Sequence, residues 1–324
     1  MRERVSQPRM CGTISNMLPA PTSIIHRGVN RAINLIQSDP RAVMDLDEIA
    51  DAAYLSKFHF SRLFRSCMGE TPVSFLWRTR LEHSALDFDY GASKSITDTA
   101  LEYGFSSPEA FSRAFSRVIG HSPRSFLSEA DPFTPKVAPE ILDYAQIQGG
   151  LRVAKITPPD ASSVRIKNLP AYRVAFLRRK GPYEYYGGLM SGIADDFKAV
   201  INHALVQGVL SPDSIAIGAS YNSPRLTRPE QCLFDVCVSI DAGVINVPSL
   251  DTQTLEGGRF AVLRVKCSTS QIAEYWNWLT FEWLPKSSER LGIGSSIERF
   301  EIGEVLSNST CTQHTVDLCL RLRS

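Results

Sequence analysis

The chain has 324 residues, 43% of them hydrophobic, with 35 Lys and Arg against 34 Asp and Glu and a formal net charge of +1. That length supports two domains with separate cores, and the near-zero charge means that no global field announces a polyanionic partner. No stretch reaches the ~18 apolar residues of a membrane span, and the start of the chain has no apolar signal core, which predicts a cytoplasmic protein without membrane contact. The seven cysteines form no CxxC pair and no metal-ligand cluster, which predicts reduced thiols, no metal and no cofactor. On a strand, Cys232 and Cys237 would point to opposite faces.

Residues 1–23 are polar, carry three prolines and read as a disordered tail. A helical domain follows over 24–129. Its main feature is an internal repeat: Phe60-Ser-Arg-Leu-Phe64 through Gly69 and Pro72 to Leu76 recurs as Phe111-Ser-Arg-Ala-Phe115 through Gly120 and Pro123 to Leu127. Nine of seventeen aligned positions are identical, so one supersecondary unit is used twice. In front of each copy lies a short amphipathic segment, Leu46 to Leu55 and Ile96 to Phe105, followed by serines placed to cap the next helix. Helix, tight turn and helix make the helix-turn-helix unit, whose second helix enters the major groove. A long helix from about Pro72 to Tyr90 joins the two units.

Charge is concentrated where such a unit needs it. Residues 57–80 hold Lys57, Arg62, Arg65, Arg78 and Arg80 against Glu70 alone, and residues 111–124 hold Arg113, Arg117 and Arg124 without an acid. With Phe60 and Phe64 on the core stripe, Lys57, Phe58, Ser61, Arg62 and Arg65 are left for DNA. The corresponding positions of the second copy are Pro108, Glu109, Ala110, Ser112 and Arg113. Glu109 suits the N-terminal turn of a helix or a cytosine amino group. Arg78, Arg80, Arg117 and Arg124 are assigned to phosphate contact or to packing.

The runs Leu55-Ser-Lys-Phe-His-Phe-Ser-Arg-Leu-Phe-Arg65, Arg80-Leu-Glu82, Tyr103-Gly-Phe-Ser-Ser-Pro-Glu-Ala-Phe-Ser-Arg-Ala-Phe115 and His121-Ser-Pro-Arg124 resemble the AraC family of bacterial transcription regulators. The resemblance covers roughly residues 26–128 and departs at Thr99, where the family has an aliphatic residue. It implies that Phe58, Ser61 and Arg62 sit at base-reading positions. It further implies double-stranded DNA as partner, read across adjacent major grooves, with RNA polymerase as a further partner of such a regulator.

Asp131 to Pro159 carries five prolines and a Gly149-Gly150 pair, so residues 130–160 read as a linker. From about Ser163 the alternation becomes strand-like, and a second repeat appears in the domain 161–324. Leu169-Pro-Ala-Tyr-Arg-Val-Ala-Phe-Leu-Arg-Arg-Lys180 aligns with Leu255-Glu-Gly-Gly-Arg-Phe-Ala-Val-Leu-Arg-Val-Lys266, each followed by an amphipathic helix. The expected fold is therefore an all-α tandem helix-turn-helix domain of about seven helices, then an α+β domain with pseudo-two-fold symmetry. Where two similar halves meet, a concave pocket is expected.

Lys180-Gly-Pro-Tyr183, Ile217-Gly218, Tyr221-Asn-Ser-Pro224, Glu256-Gly-Gly-Arg-Phe-Ala261, Trp283-Leu-Pro-Lys-Ser287 and Ser296-Ile-Glu-Arg-Phe-Glu301 resemble the GyrI-like effector-binding domains over about 160–323. Cys267-Ser-Thr269 replaces the family's second Gly-Pro-Tyr-like turn, and Asn222-Ser223 replaces its aspartate near Tyr221. The resemblance implies a small-molecule effector, cationic or aromatic, with Glu298 as its anchor. Tyr183, Tyr221, Trp276, Trp283 and Phe300 are the candidate walls, since aromatic faces attract cations. The expected function is a DNA-binding transcriptional regulator, monomer or homodimer and not an enzyme, whose second domain binds a small molecule and modulates DNA binding or transcription. The alternative is a GyrI-like domain acting as a small-molecule hydrolase or as a protein-sequestering module.

Overall fold

A computed structural model describes residues 26–89, 95–128, 156–181, 191–223, 226–307 and 313–323. The expected tail 1–23 and linker segment 130–155 lie outside the described residues.

Among the described residues, seven helices make the first half: α1 (Arg27–Ser38), α2 (Leu46–Ala52), α3 (Lys57–Met68), α4 (Pro72–Asp89), α5 (Ile96–Glu102), α6 (Pro108–Ile119) and α7 (Pro123–Ser128). The repeat read from the sequence is preserved in the packing. Phe64 meets Phe75 edge to face at 5.5 Å, and the equivalent Phe115 meets Phe126 at 5.6 Å. All four rings are buried, and each unit has its own apolar core, one around Phe60, Phe64 and Phe75 and one around Phe111, Phe115 and Phe126. Both recognition helices end on the repeated glycine in the left-handed region, Gly69 at φ 76° and Gly120 at φ 89°. Each glycine N–H closes the last turn by donating to a carbonyl four residues back. The Ser107 hydroxyl caps α6 by accepting from Ala110 N, whereas Ser56 occupies the cap position of α3 without a side-chain bond.

Among the described residues, the second half is one antiparallel eight-stranded sheet: β1 (Arg165–Leu169), β2 (Tyr172–Lys180), β3 (Ile215–Ser220), β4 (Leu233–Ser239), β5 (Asp251–Leu255), β6 (Gly258–Cys267), β7 (Ser296–Glu301) and β8 (His314–Arg321). Its order is β1-β6-β8-β7-β3-β4-β2-β5. Exchanging β1 with β5, β2 with β6, β3 with β7 and β4 with β8 reverses that order and leaves it otherwise unchanged. The inferred two-fold repeat is thus the symmetry of the sheet, with its axis between β3 and β7. The edge strands are swapped between halves, because β1 pairs with β6 and β5 with β2.

Helix α8 (Ser191–Val206) packs on one half of the sheet, and α9 (Thr269–Asn277) packs on the other, on the same face. Helix α9 continues through a π-helical stretch, Trp278–Trp283, into a last turn, Leu284–Lys286, and a short helix α10 (Ile302–Ser307) follows β7. On the opposite face Val174, Phe176, Ile217, Cys237, Phe260 and Cys319 close a separate apolar interior. Cys232 and Cys237 do lie in the cores of opposite faces, and burial pushes both thiols up. No described helix is long and apolar enough to cross a membrane.

The two halves are in direct contact. The Lys180 ammonium donates to Met68 O at the C-terminal end of α3, where the helix leaves carbonyls without internal partners. Arg323 reaches Asp87 of α4 at 3.1 Å, and Asp87 also accepts from the Tyr103 hydroxyl.

Candidate nucleic-acid interface and ligand cavity

Helix α3 turns Phe60, Phe64 and Met68 inward, which leaves Lys57, Phe58, Arg62 and Arg65 exposed and Ser61 half-buried. Phe58 is 75% exposed, a large apolar ring that the fold itself does not use. Lys57 pairs with Asp47 at 3.2 Å on the surface, so its charge is partly answered within the unit. On α6, Glu109, Arg113 and Arg117 are exposed, with Pro108 and Ser112 half-buried. The Glu109 carboxyl lies below its ordinary range because its own backbone N–H and the Ser107 hydroxyl donate to it, with Arg113 adding a smaller electrostatic effect. Glu109 therefore belongs to the N-terminal turn of α6.

Two arginines weighed between phosphate contact and packing are packing residues. Arg78 is buried and held between Glu70 at 2.7 Å and Glu82 at 2.9 Å. Arg80, also buried, donates to Pro40 O and Ala42 O and stacks over Trp77. Arg117 and Arg124 remain exposed.

In the second half, a cavity of about 150 Å³ opens between α9 and the central strands. Ala273, Trp276, Asn277, Thr280 and Phe281 line it at helical spacing, and Ser220, Tyr221, Asn222, Ser223, Ser296 and Leu320 line it from the sheet. Tyr221 and Trp276 are thus both at the cavity. Glu298 lies two residues from Ser296 on the same sheet face, 1% exposed, and its carboxylate accepts from Trp276 Nε1 at 2.8 Å. It stands behind Trp276 and is not on the cavity lining. Room for it comes from Gly218, its register partner: a Cβ there would approach Glu298 Oε2 to 3.3 Å and Phe234 Cζ to 2.6 Å.

The other aromatic candidates are elsewhere. Phe300 packs edge to face on Phe197 at 5.7 Å, Trp283 joins the apolar core beneath α9, and Tyr183 lies outside the described residues. His83 and Leu86 of α4 also line the cavity, and sequence reasoning missed both. The side-chain spacing of α4 marks an ordinary linking helix, and only the docking of the two halves brings these residues to the site. Burial holds the His83 imidazole below its ordinary pKa against the opposing pull of Glu82 and Asp87. No group of three His, Cys, Asp or Glu residues able to hold a metal occurs among the described residues.

A model of the GyrI-like small molecule binding domain matches residues 162–323, and a model of a helix-turn-helix domain matches 49–129. The uncharacterised HTH-type transcriptional regulator YbfP of Bacillus subtilis is 32% identical over 110 residues, 34% of this chain and 37% of that protein. An HTH-type transcriptional regulator of Staphylococcus aureus is 30% identical over 116 residues, 36% of this chain and 15% of that one. The chain thus spans little more than a third of the first relative's length and less of the second's. A crystal structure of an AraC-type DNA-binding transcriptional regulator from Chromobacterium violaceum is 25% identical, covers 33% of this chain and 94% of that one, and superposes with a TM-score of 0.31. The chain belongs to the GyrI-like family of small molecule binding domains, carried here behind an AraC-type helix-turn-helix domain.

Proposed function

We propose that the protein is a sequence-specific DNA-binding transcriptional regulator whose GyrI-like domain binds a small molecule and thereby modulates DNA binding. The observation that carries the DNA half is the equivalence of α3 and α6. Both bury the same two phenylalanines, both end on a left-handed glycine, and both leave the same arginine, Arg62 and Arg113, exposed. Arginine donates two hydrogen bonds to guanine, worth about 1–3 kcal/mol of discrimination. Two such helices joined by α4 suit neighbouring major grooves about 34 Å apart, hence an asymmetric site of about two turns.

The small-molecule half rests on the cavity beside Trp276 and Tyr221. A carboxylate as buried as Glu298 is unfavourable without a donor, a cation or a proton, and Trp276 supplies the donor. A ligand shifts the regulator only by as much as its affinity differs between the DNA-competent and incompetent arrangements. A cytoplasmic location and the absence of catalysis belong to the same reading.

Selection of random duplexes on the purified full chain at physiological ionic strength tests it. Enrichment of one asymmetric motif is expected. A pool that stays random after repeated rounds removes the DNA-reading role.

A further inference from the structure

The cavity has walls from both halves of the chain. Trp276 and Phe281 belong to the GyrI-like domain, while His83 and Leu86 belong to α4, the helix that joins the two helix-turn-helix units. Whatever contacts those two residues contacts the element that sets the spacing of the recognition helices.

The rim of the cavity is wired to both units. The Tyr221 hydroxyl donates to Asp235 at 2.7 Å, Asp235 holds Arg178 at 2.6 Å, and Arg178 donates to Asn34 Oδ1 of α1 at 2.8 Å. Next to it, Asn222 donates to Glu82 of α4 at 3.3 Å and accepts from Leu233 N at 2.9 Å. Leu233 sits in the core of the first helix-turn-helix unit and Leu226 in that of the second. One corner of the sheet, just beyond β3, therefore touches the cavity and both units.

Size sets how many walls a ligand meets. A cavity of about 150 Å³ matches the engineered cavity that admits benzene, so one ring fits without movement. A larger planar ligand spans the cavity from the α9 wall to the α4 wall. The α9 wall is fixed by its apolar core with β6 and β8, and the strands by continuous ladders. The α4 wall meets the second half through Leu226, which shares a buried core with Leu81, Ala85 and Phe88, and through the Asn222 to Glu82 bond and the Arg323 to Asp87 pair. The lining residues include no Lys, Arg, Asp or Glu, so the ligand needs no charge of its own at this face.

We propose that α4 is part of the effector site: a planar aromatic ligand of more than one ring, held between Trp276, Phe281 and His83, bears on α4 beside the Tyr221–Asn222 corner and so changes the setting of the two recognition helices. This rests on the small-molecule reading above and adds the residues and the direction of coupling. Because coupling between sites is reciprocal, DNA changes ligand affinity by the same factor as ligand changes DNA affinity.

The test uses the full chain with N-phenyl-1-naphthylamine, a neutral multi-ring fluorophore, and with phenol as the one-ring control. The expected result is saturable probe fluorescence, weakened at least about fivefold in Leu86→Ala and in the gentler His83→Gln. The probe should also shift the Kd for the selected duplex at least about fivefold, the low end of typical couplings, with the shift falling toward one in Asn222→Ala and absent with phenol. Thermal melting identifies any variant that fails to fold, and the remaining α4 variant then decides. Equal probe affinity in wild type and both α4 variants overturns the inference and leaves the small-molecule site standing. No probe binding to wild type overturns both the ligand class proposed here and the cavity as the effector site. An equal effect of phenol on DNA overturns the requirement for a ligand that spans the cavity to α4.

Discussion

The Arg178–Asp235 pair offers the sharpest check on how the halves are joined. Both side chains are fully shielded from solvent, and the guanidinium donates twice to the carboxylate, at 2.6 Å from each of two nitrogens. Asp235 also accepts from Tyr221 and Gln253, while Arg178 donates to Asn34 and lies over the Phe176 and Tyr221 rings. Asp235→Asn keeps the shape but leaves a buried guanidinium without its counter-charge, a change that costs about 3–5 kcal/mol. At roughly 2–4 °C per kcal/mol for a domain of this size, the melting temperature should fall by roughly 6–20 °C. Circular dichroism and tryptophan fluorescence followed in parallel report whether the two halves melt together or separately. Removing both charges in Arg178→Met/Asp235→Leu should recover part of the loss, because no lone ion remains. Recovery stays partial, since Tyr221, Gln253 and Asn34 lose their partner. An Asp235→Asn protein that melts within 2 °C of wild type would refute the buried pair as the clamp between sheet and α1.

Three further outcomes follow from single residues. Arg62→Ala should flatten base preference at one position by about 1–3 kcal/mol, whereas Arg117→Ala should lower affinity for all duplexes alike and reduce the salt slope by about one; competition binding at several salt concentrations separates them, and unchanged base preference in Arg62→Ala counts against its reading role. Thr99 is 1% exposed and its hydroxyl finds no partner among the described residues, so Thr99→Val should stabilise the second unit by about 1 kcal/mol in urea unfolding; a destabilised variant would show that the hydroxyl is satisfied after all. Because the folded His83 pKa is depressed, mainly by burial, the unfolded chain binds more protons as pH falls below about 6.5, and this contribution to stability is full at neutral pH and lost toward acid; melting curves between pH 7.5 and about 5.5 should be flatter for His83→Gln, and identical slopes would remove His83 as the titrating group.

The tandem unit was legible in the sequence because its signals are local. Two phenylalanines four apart, a glycine that must be left-handed and a proline that opens the next helix each report on a few bonds of backbone, and the repeat supplies each signal twice. The two-fold repeat of the second half was legible for the same reason, through Leu169 to Lys180 and Leu255 to Lys266. Its swapped edges were not, since β1 and β5 are too short and too polar to announce which half they pair with. For the site, alternation along β7 puts Glu298 on the face of Ser296, but its distance from the cavity depends on which way the Trp276 ring turns.

The polar residues at the domain junction follow a different rule from those at the reading surface. Arg78 and Arg80, weighed from sequence between phosphate contact and packing, are buried and answered by Glu70 and Glu82 or by carbonyls, as Arg178 is by Asp235. Arg62, Arg113 and Arg117, by contrast, are exposed. A buried guanidinium costs several kcal/mol to desolvate and is kept only where its partners are fixed. The buried arginines thus keep fixed partners at the junction, while the exposed arginines are held by no such burial. A chain whose second domain merely hung on a linker would not need Arg178 beneath α1 or Asn222 against Glu82. Their presence ties the orientation of α3 and α6 to the same sheet corner that borders the cavity.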